Sequence, residues 1–237
     1  MKKILLVIIT MICIAVLCSC KENTKTPPAP SVPEKTKQVS INSSGKPAVI
    51  MSESSTFSGV SATYPHVSGT GADIILNEEV IRETSAFAAE YASSVDEIEY
   101  KITYNDRGIL SILLYATNKT DQTVLYHPIT FNSQSGGRIT LDTLFESDND
   151  TWKNVAAFYA ETLVRLNRTD THSDVKITED KDFYLTDTKL VIFYELYEIS
   201  YYAQGSPYFE IPYSVLEQYA NPDGAMHVIL EGRDVNE

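Results

Sequence analysis

Ile98-Glu-Tyr-Lys-Ile-Thr-Tyr-Asn-Asp-Arg-Gly-Ile-Leu-Ser-Ile-Leu-Leu-Tyr-Ala116 is the stretch on which the fold class turns. Ile98, Tyr100, Ile102 and Tyr104 alternate with polar residues, the period-2 pattern of a strand with one buried face. Asn105-Asp106-Arg107-Gly108 supplies turn chemistry, and Ile109 to Ala116 then runs almost wholly apolar. Two strands around a tight polar turn make a β-hairpin.

Working upstream, Phe57 to Val67 alternates and ends in Tyr64-Pro65-His66, which predicts a strand stopped by proline. Asn77 is placed to cap a helix carrying Val80, Thr84, Phe87 and Tyr91 at helical spacing, with Glu78 and Glu79 in its first turn. Downstream, strands are predicted at Thr123 to Asn132 and Arg138 to Leu141, around the Ser133-Gln134-Ser135-Gly136-Gly137 loop. Asp150 precedes a second helix with Trp152, Val155, Tyr159, Leu163 and Leu166 on one stripe and Arg165 and Arg168 near its end. Phe183 to Leu185, a turn at Thr186-Asp187, the run Leu190 to Ser200, a turn at Gln204-Gly205-Ser206-Pro207 and the return Tyr208 to Pro212 read as further hairpins. A short helix capped by Ser214 over Val215 to Tyr219 and a last strand from Met226 to Leu230 complete the chain. The predicted class is α+β: an antiparallel β-sheet with hairpins and two main helices packed on it.

The chain opens differently. Lys2 and Lys3 precede an apolar run from Ile4 to Leu17, about 14 residues and shorter than the roughly 20 a bilayer-spanning helix needs. Leu17-Cys18-Ser19-Cys20 resembles the bacterial lipobox, so residues 1–19 are predicted to be a lipoprotein signal peptide and Cys20 the site of lipid attachment. Two acyl chains hold a protein durably on a membrane. Cys13 and Cys18 would leave with the leader, so no disulfide or cysteine metal site is expected. Residues 20–50 are predicted to be a flexible stalk rich in Lys, Thr, Ser and Pro, with a reach of roughly 30 Å as a coil. The folded remainder divides at 51–147 and 148–237. The leader carries +2 and the stalk +3, so residues 50 to 237 hold about −18 against −13 for the whole chain. Such a head repels nucleic acid and attracts cationic partners at low salt.

No catalytic constellation is apparent. His66, His127, His172 and His227 are scattered singly, without the HxH or HxxxH spacing that puts two imidazoles on one metal. GxSxG, SxxK and Cys-His patterns are absent. Asp148-Asn149-Asp150 lacks the closing ligands of a calcium loop, and helix capping accounts for Asp150. Glu195 and Glu198 have odd spacing and fall on opposite faces of a regular strand. What stands out is an aromatic concentration: Tyr194, Tyr197, Tyr201, Tyr202, Tyr208, Phe209 and Tyr213, interleaved with Glu195, Glu198 and Glu210. Tyrosine offers rigid contact area with a polar tip, suited to protein surfaces and sugar rings. Period 2 sends about half of these rings to the core; the outward half is the expected binding surface. Glu195, Tyr197, Glu198, Tyr201, Tyr202, Tyr208 and His127 are therefore the candidate ligand-binding residues, His127 by fixing a turn or lining a site.

Phe183-Tyr184-Leu185-Thr186, Leu190 through Ile199, Tyr202-Ala203-Gln204-Gly205-Ser206-Pro207 and Ile211-Pro212-Tyr213-Ser214 together resemble the extracellular domain of the RsiV family, which also precedes the catalytic domain of PdaC-type peptidoglycan deacetylases. Tyr64-Pro65, the Asn77 helix and His127-Pro128 through Phe145 resemble its companion domain. The resemblance spans roughly residues 56 to 232. It implies an ectodomain that binds a cationic wall-active protein such as lysozyme. No anti-sigma segment or deacetylase domain is recognisable, so the expectation is a non-catalytic lipoprotein that recognises a protein or glycan ligand, with peptidoglycan as the alternative partner. No cofactor is implied.

Overall fold

In the computed structural model, which describes residues 41, 43–146, 150–167, 174–194, 198–199 and 207–233, two hairpins of one kind frame the first half. Strands β1 (Val49–Phe57) and β2 (Val60–Ser68) turn at Ser58 (φ 51°) and Gly59 (φ 86°). After helix α1 (Asp73–Tyr91), β3 (Glu97–Asp106) and β4 (Ile109–Thr117) turn at Arg107 (φ 52°) and Gly108 (φ 77°). Two positive φ values in a two-residue loop twist the chain as the flanking strands twist, which is why such turns close hairpins. With β5 (Val124–Asn132) the sheet order is β1-β2-β3-β4-β5, antiparallel throughout except the β2–β3 pair, which is parallel because α1 crosses between them.

The structure corrects the reading of Pro65: β2 runs through it to Ser68. Phe57 and Val60 close the hairpin, so Ser61, Thr63 and Pro65 point their backbone nitrogens away from β1 and toward the β3 side. Ser61 N–H donates to the Asp96 carbonyl (3.1 Å) there, but the ladder ends at Ala62, so the missing N–H of Pro65 breaks no bond. Nor does Asn77 cap the helix. It sits one turn inside α1, with its side-chain amide paired to the backbone of Val67, N–H and C=O both at 2.8 Å. The N-terminal turn is organised instead by the Asp73 carboxylate, which accepts from the N–H groups of Gly69 and Thr70 and from the Thr70 hydroxyl. β1 takes in Val49 and Ile50, two residues of the expected stalk.

The second half holds a three-stranded antiparallel sheet, β6 (Phe183–Leu185), β7 (Lys189–Phe193) and β8 (Tyr208–Pro212). Its helices are α2 (Thr151–Asn167), the single turn α3 (Tyr213–Leu216) continued by a 3-10 turn to Tyr219, and α4 (Ala225–Arg233). Ser214 lies within α3 rather than before it. The expected strand at Met226 to Leu230 is helical: Ala225, Met226, Val228 and Ile229 are all buried, a 3.6-residue stripe that a short apolar run cannot distinguish from a strand by composition. Arg138 makes one bridge to Phe131, and Leu141–Leu144 is a 3-10 turn rather than a strand end. On α2, Trp152, Ala156 and Ala160 form the buried line, while Leu166 is exposed.

β4 explains the layering. Leu110, Ile112, Leu114 and Ala116 join the core beneath α1, while Ile109 enters the core of the second sheet and Leu113 meets Val191 and Phe193. A strand buried on both faces reads as a continuous apolar run, as this one does. Its one polar residue there, Ser111, joins the sheets: its hydroxyl bonds Thr130 Oγ1 (2.7 Å) and accepts from the buried Leu185 N–H (3.1 Å). Among the described residues, no helix is long and apolar enough to cross a membrane.

Candidate functional site

β5 is the outer strand of the larger sheet, and its first half forms one wall of a cleft of ≈ 480 Å³. Leu125, Tyr126 and His127 line it from β5, and Phe87, Glu90 and Tyr91 from the C-terminal end of α1. The facing wall comes from the second half: Asp180, Lys181 and Asp182 before β6, Phe193 of β7, and then Tyr194 and Glu198.

Alternation along β5 turns His127 to the side of Leu125 and Ile129, onto α1. There its ring stacks on Phe87 with centroids 5.4 Å apart and planes 16° from parallel. One turn earlier on the same helix face stands Glu83, buried. Its Oε2 accepts from His127 Nε2 (2.8 Å), and its Oε1 accepts from both Arg138 Nη1 and Arg82 Nη2 (2.8 Å each). The His127 hydrogen bond, then the charges of Arg138 and Arg82, outweigh burial and hold this carboxyl down to about 2. Glu83 is therefore ionised, which makes Nε2 the protonated nitrogen of His127 and leaves Nδ1 as the ring's other hydrogen-bonding atom. The buried carboxylate thus fixes the His127 ring from behind, and Phe87 stacks on that ring.

The second wall is aromatic and acidic. Tyr194 is buried, donates its hydroxyl to the Lys176 carbonyl (3.0 Å) and meets Phe209 edge-on (5.5 Å, 79°). Burial, then the charge of Glu198, pushes its phenol above the usual range. Lys181 pairs with Glu198 and lies 5.1 Å above the Tyr194 ring centroid. Tyr126 packs on Phe193 (5.2 Å), and Tyr208 on both Phe193 (5.5 Å) and Tyr126 (6.3 Å).

Two of the sequence-predicted residues, His127 and Glu198, line this one cleft from opposite walls. His127 lies in mid-strand rather than at a turn. Tyr208 stands beside the cleft, half exposed, in the aromatic cluster. Cys20, Glu195, Tyr197, Tyr201 and Tyr202 lie outside the described residues, as does His172. Of the remaining aromatic concentration, Phe209 and Tyr213 are buried, Tyr213 donating its hydroxyl to the Thr186 carbonyl (2.7 Å). His66 and His227 make surface pairs with Glu53 (3.0 Å) and Glu231 (3.2 Å). Glu83, Arg138, Tyr126 and Lys181 were missed. Glu83 had a signal: it falls between Val80 and Phe87 on the apolar stripe of its helix, where a carboxylate needs partners. Arg138 and Lys181 had none, since nothing local tells which loop cation reaches which distant carboxylate.

Chemically, the cleft combines, among the described residues, fixed rings with carboxylates at its rim (Glu90, Asp180, Asp182, Glu198) against the single ammonium of Lys181. Rings and carboxylates together hold organic cations. No three His, Cys, Asp or Glu side chains among the described residues converge as a metal-sized group.

Residues 140–214, which include the facing wall and the second sheet, match the family described as Protein of unknown function (DUF3298). The solved structure of a DUF3298 family protein from Pseudomonas aeruginosa, 14% identical, superposes with a TM-score of 0.50 over 76% of this chain and 97% of that one. A member of the same family from Bacteroides fragilis, also 14% identical, aligns over 80% of this chain and 99% of that one with a TM-score of 0.47. No curated protein matches. The facing wall of the cleft, from Asp180 to Glu198, is therefore part of a DUF3298 domain, and that domain extends over residues 140–214.

Proposed function

We propose that this chain is a lipid-anchored, non-catalytic recognition protein of the bacterial cell envelope, related to the RsiV-type ectodomains, and that its cleft receives a cationic protein ligand of the lysozyme kind. The observation that carries this reading is the cleft itself: aromatic walls and, among the described residues, four rim carboxylates and one internal ammonium, on a head of about −18. A strongly acidic surface around an aromatic cleft concentrates basic proteins near it and gives their side chains a place to dock. Signal peptide, acylation at Cys20 and the stalk from 20 to 50 belong to the same proposal and rest on the sequence.

Titration of lysozyme into the full-length protein in detergent micelles, at low and at physiological salt, tests it. Saturable binding that weakens with salt and is lost on Tyr126→Ala supports the reading; no binding in either condition refutes it. A second reading, an accessory peptidoglycan-binding protein in wall modification, draws on the half-exposed Tyr208 beside Tyr126 and Phe193, rings on which sugars stack. Retention on purified peptidoglycan that is lost with Tyr208→Ala, without lysozyme binding, favours it.

A further inference from the structure

Among the described residues that line the cleft Lys181 is the one lysine or arginine, and its place there is specific. Its ammonium pairs with Glu198 and sits 5.1 Å above the face of Tyr194. The ring cannot follow it: Tyr194 is pinned through its hydroxyl to Lys176 and edge-on to Phe209. The lysine, by contrast, is carried on a turn (Lys181 N–H to Thr178 C=O, 3.3 Å) and ends in four flexible methylenes. A rigid ring, a carboxylate and a movable ammonium between them describe a cation subsite already filled from within. We propose that Lys181 is an intramolecular occupant of the subsite that takes the ligand's basic side chain, so that binding proceeds by exchange of one cation for another. The inference rests on the reading of the cleft as a site for a cationic protein.

The exchange has a direction. A guanidinium is more weakly hydrated than an ammonium, stacks flat on a phenol ring and bonds a carboxylate in bidentate fashion. An arginine side chain of the ligand therefore displaces Lys181 more readily than a lysine does. Displacement moves the ammonium toward Asp180 and Asp182, its chain neighbours on the cleft rim, so no charge is stranded in the protein. The lysine raises the threshold for binding: weakly basic proteins do not expel it.

The test compares Lys181→Met, Lys181→Arg and Lys101→Met in the full-length protein, with lysozyme and triarginine as probes. Lys101, exposed on β3, does not line the cleft, so its variant carries the same net charge as Lys181→Met without touching the subsite. Removal of the internal competitor is expected to tighten both probes about fivefold to tenfold, the range a cation on an aromatic face supports. Lys181→Arg, a stronger occupant, is expected to weaken them at least threefold. If the wild type binds and Lys181→Met is unchanged or weaker, the internal occupant is refuted and the recognition reading stands. If Lys101→Met tightens binding as much as Lys181→Met, bulk charge explains the gain and the inference again falls. Binding by Lys181→Met where the wild type is silent supports both; silence of wild type and Lys181→Met alike refutes both.

Discussion

The two faces of β5 solve the same problem in opposite ways. Each buries polar atoms between packed layers, where an unpartnered group is costly. On the α1 face, His127 meets Glu83, and the carboxylate collects Arg82 and Arg138 as well, a knot of charge at the wall of the cleft. On the opposite face Thr130 meets Ser111, whose hydroxyl accepts the Leu185 N–H, a neutral relay with no titrating group. The knot needs its charges to persist and so depends on pH. Hydroxyls need only geometry. The difference separates two jobs: the charged knot stands behind the His127 wall of the cleft, while the Thr130–Ser111 relay, on the face whose Tyr126 also lines the cleft, joins two sheets in the core.

The largest effect expected from breaking this contrast is at Glu83. Its carboxyl is held near 2 against an ordinary 4.5, so the folded protein gains stability that is complete above about pH 4.5 and lost as pH falls through about 2. At 1.36 kcal/mol per unit that is about 3 kcal/mol. Glu83→Gln removes this contribution at neutral pH while keeping the shape. Denaturant unfolding of both proteins at pH 7 and pH 3 is expected to show a gap of about 3 kcal/mol that narrows at the lower pH. A gap of the same size at both values would mean that packing, not ionisation, is what Glu83 contributes. Because Glu83 fixes His127, on which Phe87 stacks, the variant is also expected to weaken lysozyme binding several-fold even under conditions where it remains folded.

Ser111→Ala should cost less, about 2 kcal/mol, by leaving the buried Leu185 N–H without an acceptor. The cost is expected to be the same at pH 7 and pH 3, and lysozyme affinity should not change. Were Ser111→Ala to alter binding as Glu83→Gln does, the distinction between a knot that supports the cleft wall and a relay that only joins the sheets would not hold.

This contrast was only partly legible in the sequence. The β3–β4 hairpin was, because a polar turn ending in glycine and alternating strand residues are local signals, but the bulge between Ile102 and Tyr104, which moves Tyr104 from the core beneath α1 to that of the second sheet, was not. β2 beyond Pro65 was not: the meaning of that proline depends on where the parallel β3 ladder stops, a fact about a strand 30 residues away. Met226 to Leu230 misled because five residues are too few to separate periods of 2 and 3.6. At the site, His127 and Glu198 were found, the first from a family-like segment and the second from the aromatic run, but their convergence across one cleft was not. Charge partners such as Glu83 and Arg138, 55 residues apart, leave no mark on spacing at all.

The smallest effect sharpens the neutral face most. Thr130→Val is nearly isosteric and removes one hydroxyl from the relay, yet Ser111 Oγ still accepts the Leu185 N–H, so no backbone group is orphaned. The loss is that of a single neutral hydrogen bond, below about 1 kcal/mol. In a double-mutant cycle, Ser111→Ala has already deprived Thr130 of its partner, so adding Thr130→Val to it should cost nothing further or recover a few tenths of a kcal/mol. Additive losses would instead show that Thr130 bonds elsewhere. The order Ser111→Ala well above Thr130→Val, measured by urea unfolding, is what separates a relay that serves a backbone N–H from a mere pair of hydroxyls, since a pair would suffer equally from either end.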